Sequence, residues 1–250
     1  MANLEPLIQS IPVAPLKLAS LEGCRTLADQ VNNYLVSFRH ESPTNVGQAD
    51  SLQGYCADSY LLECECPRFG SGEGKGVLKE SVRGCDLFIM VDVTNYSLTY
   101  RVNGYENHMS PDNHYQDLKR IISAADGKAR RINVIMPFLY EGRQHKRSKR
   151  ESLDCALMLQ ELVDMGVSNI LTFDAHDPRV SNSIPLHGFD SFMPTYQFLK
   201  ALVNSVPDFV IDNDHLMIIS PDEGAMGRAV YFSNILGVDM GMFYKRRDYS

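Results

Sequence analysis

Three short apolar runs constrain this chain more than any other feature: Cys85–Val93 (CDLFIMVDV), Arg131–Phe138 (RINVIMPF) and Asn169–His176 (NILTFDAH). Each has the length of a strand and the near-continuous apolar character of one covered on both faces. Such strands belong to parallel sheets, whose neighbours are joined by crossovers of helical length. The chain supplies those crossovers.

Residues Glu22 to Phe38 place Leu27, Val31, Tyr34 and Leu35 at helical spacing, and a polar stretch from Arg39 to Asp50, with Pro43 and Gly47, ends the pattern. A second helix opens at Ser110 and Pro111, runs through Tyr115, Leu118, Ile121 and Ile122, and stops at Gly127. Serine caps the free N–H groups of a first turn, and proline has no N–H to lose there. A third begins at Glu151 or Ser152 and ends at Gly166, with Leu153, Ala156, Leu157, Leu159, Leu162 and Val163 on its apolar side. SYLLECECP reads as a strand leading into the glycine-rich RFGSGEGKG, and YSLTYRVNGYENHM surrounds Asn103-Gly104, the dipeptide of a type I′ hairpin turn. Further on, TYQFLKALVNSV is a helix, HLMIISPD a strand, EGAMGRAVYFSNILG a helix and VDMGMFYKRR a last strand. The whole is α/β, with mostly parallel sheets flanked by helices. The basic stretch after Arg143 is the natural seam, which sets a domain boundary near residue 150 and predicts domains of 1–150 and 151–250.

A hydrophobic content of 44% over 250 residues supports a packed core. The net charge of −7 argues against a general binder of nucleic acid or membrane surfaces, so local basic clusters need local explanations. The six cysteines form no CxxC pair, which points to reduced thiols and a cytoplasmic protein rather than a disulfide framework. The N-terminal residues lack a basic region followed by an apolar one, and no stretch reaches the ~20 apolar residues of a membrane span.

Ligands of open parallel sheets collect at the carboxyl ends of strands. RINVIMPF feeds Arg143, Gln144, His145, Lys146, Arg147, Lys149 and Arg150, a density of cations suited to a polyphosphate. NILTFDAH presents Asp174, His176 and Asp177, oxygen and imidazole groups that suit Mg²⁺ or its waters. MIISPDEGAMGR places Ser220, Pro221 and Asp222 at a strand end before Gly224 and Gly227. A charge run alone is more often a solvated face, a lone histidine more often structural, and an Asp before a helix more often a cap.

Taken in order, these segments resemble the ribose-phosphate pyrophosphokinase (phosphoribosyl pyrophosphate synthase) family. FGSGE at Phe69 to Glu73 is similar to the family's FSDGE, and ESVRGCDLFI to its next strand. YEGRQHK at Tyr140 to Lys146 matches YARQDRK, DAHD at Asp174 to Asp177 matches DLHA, SPDEGA at Ser220 to Ala225 matches SPDAGG, and Lys245 to Arg247 match KRR. The similarity covers roughly residues 60 to 250, with the Asn103-Gly104 hairpin, near 97–109, as an insertion.

The resemblance implies two phosphoribosyltransferase-like domains and transfer of the diphosphoryl group of Mg-ATP to the anomeric hydroxyl of ribose 5-phosphate. It implies that Arg143 and Gln144 contact ATP, that Ser71, Gly72 and Glu73 do so from a neighbouring subunit of a homo-oligomer, and that His176, Asp222 and Asp174 serve Mg²⁺. Lys245 and Arg247 become the catalytic pair on a mobile loop. Ser71 and His145 stand where the family has Asp, and the family's acidic TGGT-like loop for the 5-phosphate lies beyond the point where this sequence stops, so the second domain is expected to be incomplete. Two other readings fit the same fold: a non-catalytic protein that binds nucleotide and an active synthase, and a phosphoribosyltransferase.

Overall fold

A computed structural model describes residues 12–41 and 54–244. The chain divides into two compact units, Met1–Phe192 and Met193–Ser250. The first is built on a six-stranded sheet in the order β10-β9-β8-β5-β1-β2, with every pairing parallel. Its strands are β1 (Leu16–Ser20), β2 (Leu61–Leu62), β5 (Asp86–Met90), β8 (Arg131–Ile135), β9 (Val167–Phe173) and β10 (Gly188–Phe192).

Side chains alternate between the faces of this sheet, as the two-residue period of a strand requires. Leu18 and Met90 pack on one side with Cys24 and Ala28, at the start of α1 (Arg25–Glu41). Ala19, Leu87, Ile89, Ile132 and Val134 pack on the other. That second face is covered by Leu118 and Ile121 of α2 (Pro111–Ala124) and by Leu159 and Leu162 of α3 (Asp154–Asp164). Both faces being covered is the physical reason why the central strands read as near-continuous apolar runs.

A polar network is drawn into the sheet. Asp86 is 6% exposed. Its carboxylate accepts from Arg131 Nε at 2.8 Å and Nη2 at 2.5 Å and from Asn133 Nδ2 at 2.8 Å, and Asn133 Oδ1 accepts from Asn169 at 2.6 Å. The chain of bonds runs from β5 across β8 to β9 and satisfies groups whose burial would otherwise be costly.

The predicted hairpin is present: β6 (Thr99–Val102) and β7 (Tyr105–His108) are antiparallel, with Asn103 and Gly104 both at positive φ. Ser110 caps α2 as expected, its hydroxyl accepting from the Asn113 amide. The strand predicted over SYLLECECP is divided. β2 joins the main sheet, while β3 (Cys64–Glu65) pairs antiparallel with β4 (Val77–Leu78), so that the two arms enclose the glycine-rich segment.

Two expectations change. In α1 the buried residues are Ala28 and Asn32, while Leu27 and Tyr34 are exposed. Asn32 is buried because its side-chain oxygen accepts the amide of Tyr60 at 2.8 Å, tying the helix to the chain entering β2. The boundary near residue 150 is displaced to Phe192, because β9 and β10 extend the sheet of β8 and keep residues 151–192 within the first unit.

The second unit contains α4 (Thr195–Ser205), β11 (Ile218–Ser220), α5 (Met226–Leu236) and β12 (Met240–Met242). β11 and β12 are parallel neighbours, and α5 makes the crossover between them. It ends at Gly237, which takes the left-handed conformation while the Val238 amide returns to the Ser233 carbonyl.

Candidate functional site

The segment after β8 leaves the sheet at Met136, whose amide donates to Leu171 of β9, and Phe173 returns a bond to Pro137. These bonds set the ends of β8 and β9 side by side. The loop then folds on itself. Tyr140 stacks on Tyr115 with ring centroids 4.6 Å apart and donates its hydroxyl to Asp112 at 2.5 Å. Glu141 adopts positive φ, and the Gln144 amide bonds back to its carbonyl.

Arg143 is exposed, with its guanidinium 5.8 Å from the Phe138 ring centre. Gln144 donates a side-chain N–H to the Ser152 carbonyl at 2.6 Å, which fastens the loop to the chain entering α3. His145 points towards β9: Nδ1 lies 3.2 Å from the Arg143 carbonyl, Nε2 lies 3.6 Å from Asp177, and the ring is 5.1 Å from that of His176. The cationic loop and the Asp174–Asp177 turn, read separately in the sequence, therefore meet through His145.

The turn is itself constrained. Asp174 has φ of +44°, a conformation that disfavours a side chain, and its amide donates to Phe192 of β10. Ala175 donates to Ser191 Oγ at 2.9 Å. Asp177 is engaged by the Arg179 amide and guanidinium, which hold its carboxyl well below the usual carboxylate range. Its oxygens are thereby committed; His176, which is exposed, and Asp174 are the other metal candidates of this turn. Among the described residues no three His, Cys, Asp or Glu side chains cluster to hold a metal ion. One imidazole and one carboxylate suit a Mg²⁺ bound chiefly through phosphate oxygens and water, not one enclosed by protein groups.

Ser71, Gly72 and Glu73 belong to the loop between β3 and β4. Phe69 bonds to Glu73 and Gly72 to Phe69 through the backbone, and Ser71 Oγ donates to Glu73 at 2.7 Å. Phe69 is 53% exposed. The loop meets the hairpin: a Cβ added at Gly72 would lie 2.9 Å from Val102 Cγ2. Arg68, just before it, donates both terminal nitrogens to Asp117 of α2 and lies 5.4 Å from the Tyr100 ring. Sequence reasoning identified the hairpin and the loop but not their contact, and Arg68 was visible only as one more basic residue.

Asp222 lies in the second unit. Its carboxylate accepts the Ala225 amide at 3.1 Å and caps the short 3₁₀ turn Glu223–Ala225. Ser220 is fully buried and donates to the Asp222 carbonyl. Lys245 and Arg247 lie outside the described residues.

Residues 16–166 match the family model described as the N-terminal domain of ribose phosphate pyrophosphokinase. Among curated proteins, the ribose-phosphate pyrophosphokinase of Staphylococcus epidermidis (strain RP62A) is 28% identical over 191 residues, covering 75% of this chain and 53% of the relative. That of Oceanobacillus iheyensis is 26% identical over 190 residues with the same coverages. The chain thus spans about half the length of the curated relatives it matches. Among solved structures, the phosphoribosylpyrophosphate synthetase from Mycobacterium smegmatis superposes with a TM-score of 0.70 at 23% identity, over 93% of this chain and 65% of that one, a likeness of fold.

Proposed function

The chain belongs to the ribose-phosphate pyrophosphokinase family by the match of its residues 16–166 to the family's N-terminal domain, and from that premise we propose that it takes part in diphosphoryl transfer from ATP to ribose 5-phosphate. The anomeric hydroxyl attacks the β-phosphorus, an O–P bond forms, the bond from that phosphorus to the bridging oxygen of the α-phosphate breaks, and AMP leaves. The hydroxyl proton passes to solvent. Such a transfer depends on positioning and charge neutralisation more than on covalent chemistry.

The observation that supports this reading is the joining of the Arg143 loop to the Asp174–Asp177 turn through His145. Arg143 presents an exposed guanidinium to phosphate oxygens, and Gln144 keeps one side-chain N–H and its oxygen for the nucleotide while the other N–H anchors the loop. His176 and Asp174 would hold Mg²⁺, which when bound would offset the charge of the phosphates; Asp222, in the second unit, is a metal candidate by the family resemblance alone. Lys245 and Arg247 stabilise the transferred group. The exposed Phe69 to Glu73 loop suits contact with nucleotide held by a neighbouring subunit of a homo-oligomer.

A cytoplasmic site of action agrees with the free cysteines. No described helix is long and apolar enough to cross a membrane. The test is to incubate the full-length protein with Mg-ATP and ribose 5-phosphate and to assay AMP and phosphoribosyl pyrophosphate, with Lys245→Ala as control. Product that depends on Lys245 supports the proposal. Folded protein that binds ATP yet forms no product refutes it and leaves a non-catalytic nucleotide binder.

A further inference from the structure

A cavity of about 490 Å³ opens beneath the β6–β7 hairpin, away from the Arg143 loop. Its walls come from the start of α1, from β3, from the hairpin and from α2. The volume lies in the range of roughly 300–1,000 Å³ typical of small-molecule sites. Of the six Asp, Glu and Arg side chains in its lining, three are already matched. Asp117 is held by Arg68 at 2.6 Å and by Arg120 at 2.6 Å, and Glu65 is held by Lys79 at 2.6 Å.

Two cations are left over. Neither Arg25, at the start of α1, nor Arg101, on the hairpin, has an acidic partner within salt-bridge distance among the described residues; Glu22 lines the cavity with them, and Glu106, opposite Arg101 across the hairpin, accepts from Thr99. The thiols of Cys64 and Cys66 add no negative charge, because burial pushes them up to about 11 and about 12. The remaining lining includes Leu98, Met109 and the ring of Tyr100, an apolar surface for a compact organic body.

The hairpin is held in place over the cavity. His114 Nε2 lies 2.6 Å from the Asn95 carbonyl, the Met109 amide closes on the Leu98 carbonyl, and Tyr100 receives the Arg68 guanidinium against its ring. Arg101 is therefore presented by an anchored element instead of a free loop. We propose that this cavity is a binding site for a small phosphate monoester, its dianionic head taken by Arg25 and Arg101 and its body resting on Tyr100, Leu98 and Met109. Two forked guanidinium groups match a phosphate dianion in charge and in hydrogen-bond geometry. The site is separate from the proposed nucleotide loop, and its occupancy does not depend on the proposed reaction. Arg68 and Tyr100 line it and also lead into the Phe69–Glu73 loop, so a bound ligand would bear on that loop.

The test is a titration of the full-length protein with glycerol 3-phosphate, inorganic phosphate or glycerol, followed by backbone amide NMR. The expected result is saturable shifts at residues 22–25 and 98–101 with both phosphates and none with glycerol. Arg25→Ser and Arg101→Ser are each expected to weaken binding about tenfold, the loss of charge-assisted hydrogen bonds at one guanidinium. Arg143→Ser is expected to leave it unchanged. Both arginines are exposed, so the variants keep their fold, checked by circular dichroism. Shifts centred on residues 143–147 that vanish in Arg143→Ser, binding unaffected by either cavity variant, or no saturation with phosphate would each overturn the proposal.

Discussion

Removing the carboxylate of Asp117 tests how the glycine-rich loop is held. Asp117 and Arg68 have side chains only 6% and 10% exposed, and two N–H···O contacts of 2.6 and 2.8 Å join them across the gap between α2 and the loop. Arg120 adds a third, at 2.6 Å. Asp117→Ala leaves the Arg68 guanidinium largely buried and unpaired, and breaking a buried pair from one side costs about 3–5 kcal/mol. Urea unfolding of the full chain, followed by far-UV circular dichroism, should show the first unit's midpoint fall with its slope unchanged. Arg68→Met combined with Asp117→Leu removes both buried charges, and the pair should cost less than the sum of the single changes by about 1–3 kcal/mol. A loss under ~1 kcal/mol for Asp117→Ala, or strict additivity in the cycle, would refute the account of the pair as a buried clamp.

Gly76→Ala is expected to destabilise by about 2 kcal/mol or more, since a Cβ there would overlap the backbone carbonyl of Arg120, whereas Gly70→Ala, with nothing within 4 Å, should fall within ~0.5 kcal/mol of the parent; thermal melts of both decide it. Stability should decline at alkaline pH. Burial holds the folded-state thiols of Cys24 and Cys155 up at about 12 and about 11, so the stability they confer as neutral groups is complete below the unfolded value near 9 and is lost as pH rises through the folded values, which melting temperatures at pH 8 and pH 10.5 would reveal. Arg143→Ala is expected to raise the KM for ATP or its dissociation constant by about 10–100-fold through lost contacts to phosphate, and unchanged ATP binding would remove this residue from the site.

The sheet was legible because its central strands are covered on both sides. Leu87, Ile89, Val134 and Ile170 face one cluster and Phe88, Met90 and Ile135 the other, so the runs are apolar apart from single buried polar residues such as Asn133 and Thr172. β10 was missed for the converse reason. It is an edge strand, no residue of Gly188–Phe192 is fully buried, and its sequence GFDSF carries neither an apolar run nor a clean alternation. The boundary near residue 150 failed with it, because without β10 nothing in the sequence shows that β9 continues the first sheet. In α1, periodicity favoured Leu27 and Tyr34 over Asn32, since a hydropathy pattern gives no weight to a buried amide that satisfies a backbone N–H.

The site divides in the same way, between what local pattern carries and what only contacts reveal. Arg143, Gln144, Asp174 and His176 follow apolar strands, so their placement at strand ends could be inferred from order alone. The link between them could not. It rests on His145, at a position where the resembled family carries Asp, and on Asp177, whose acid sits one residue past His176. An aspartate at 145 would face the carboxylate of Asp177 at the distance now spanned by an imidazole and would be repelled, so the histidine and Asp177 are mutually compatible where two acids would not be. A double-mutant cycle expresses this: His145→Asp alone should loosen the Arg143 loop and weaken ATP binding, and adding Asp177→Ala should restore part of the loss. If the second change brings no recovery, the two residues do not act on one another, and the loop and turn owe their proximity to the paired ends of β8 and β9 alone.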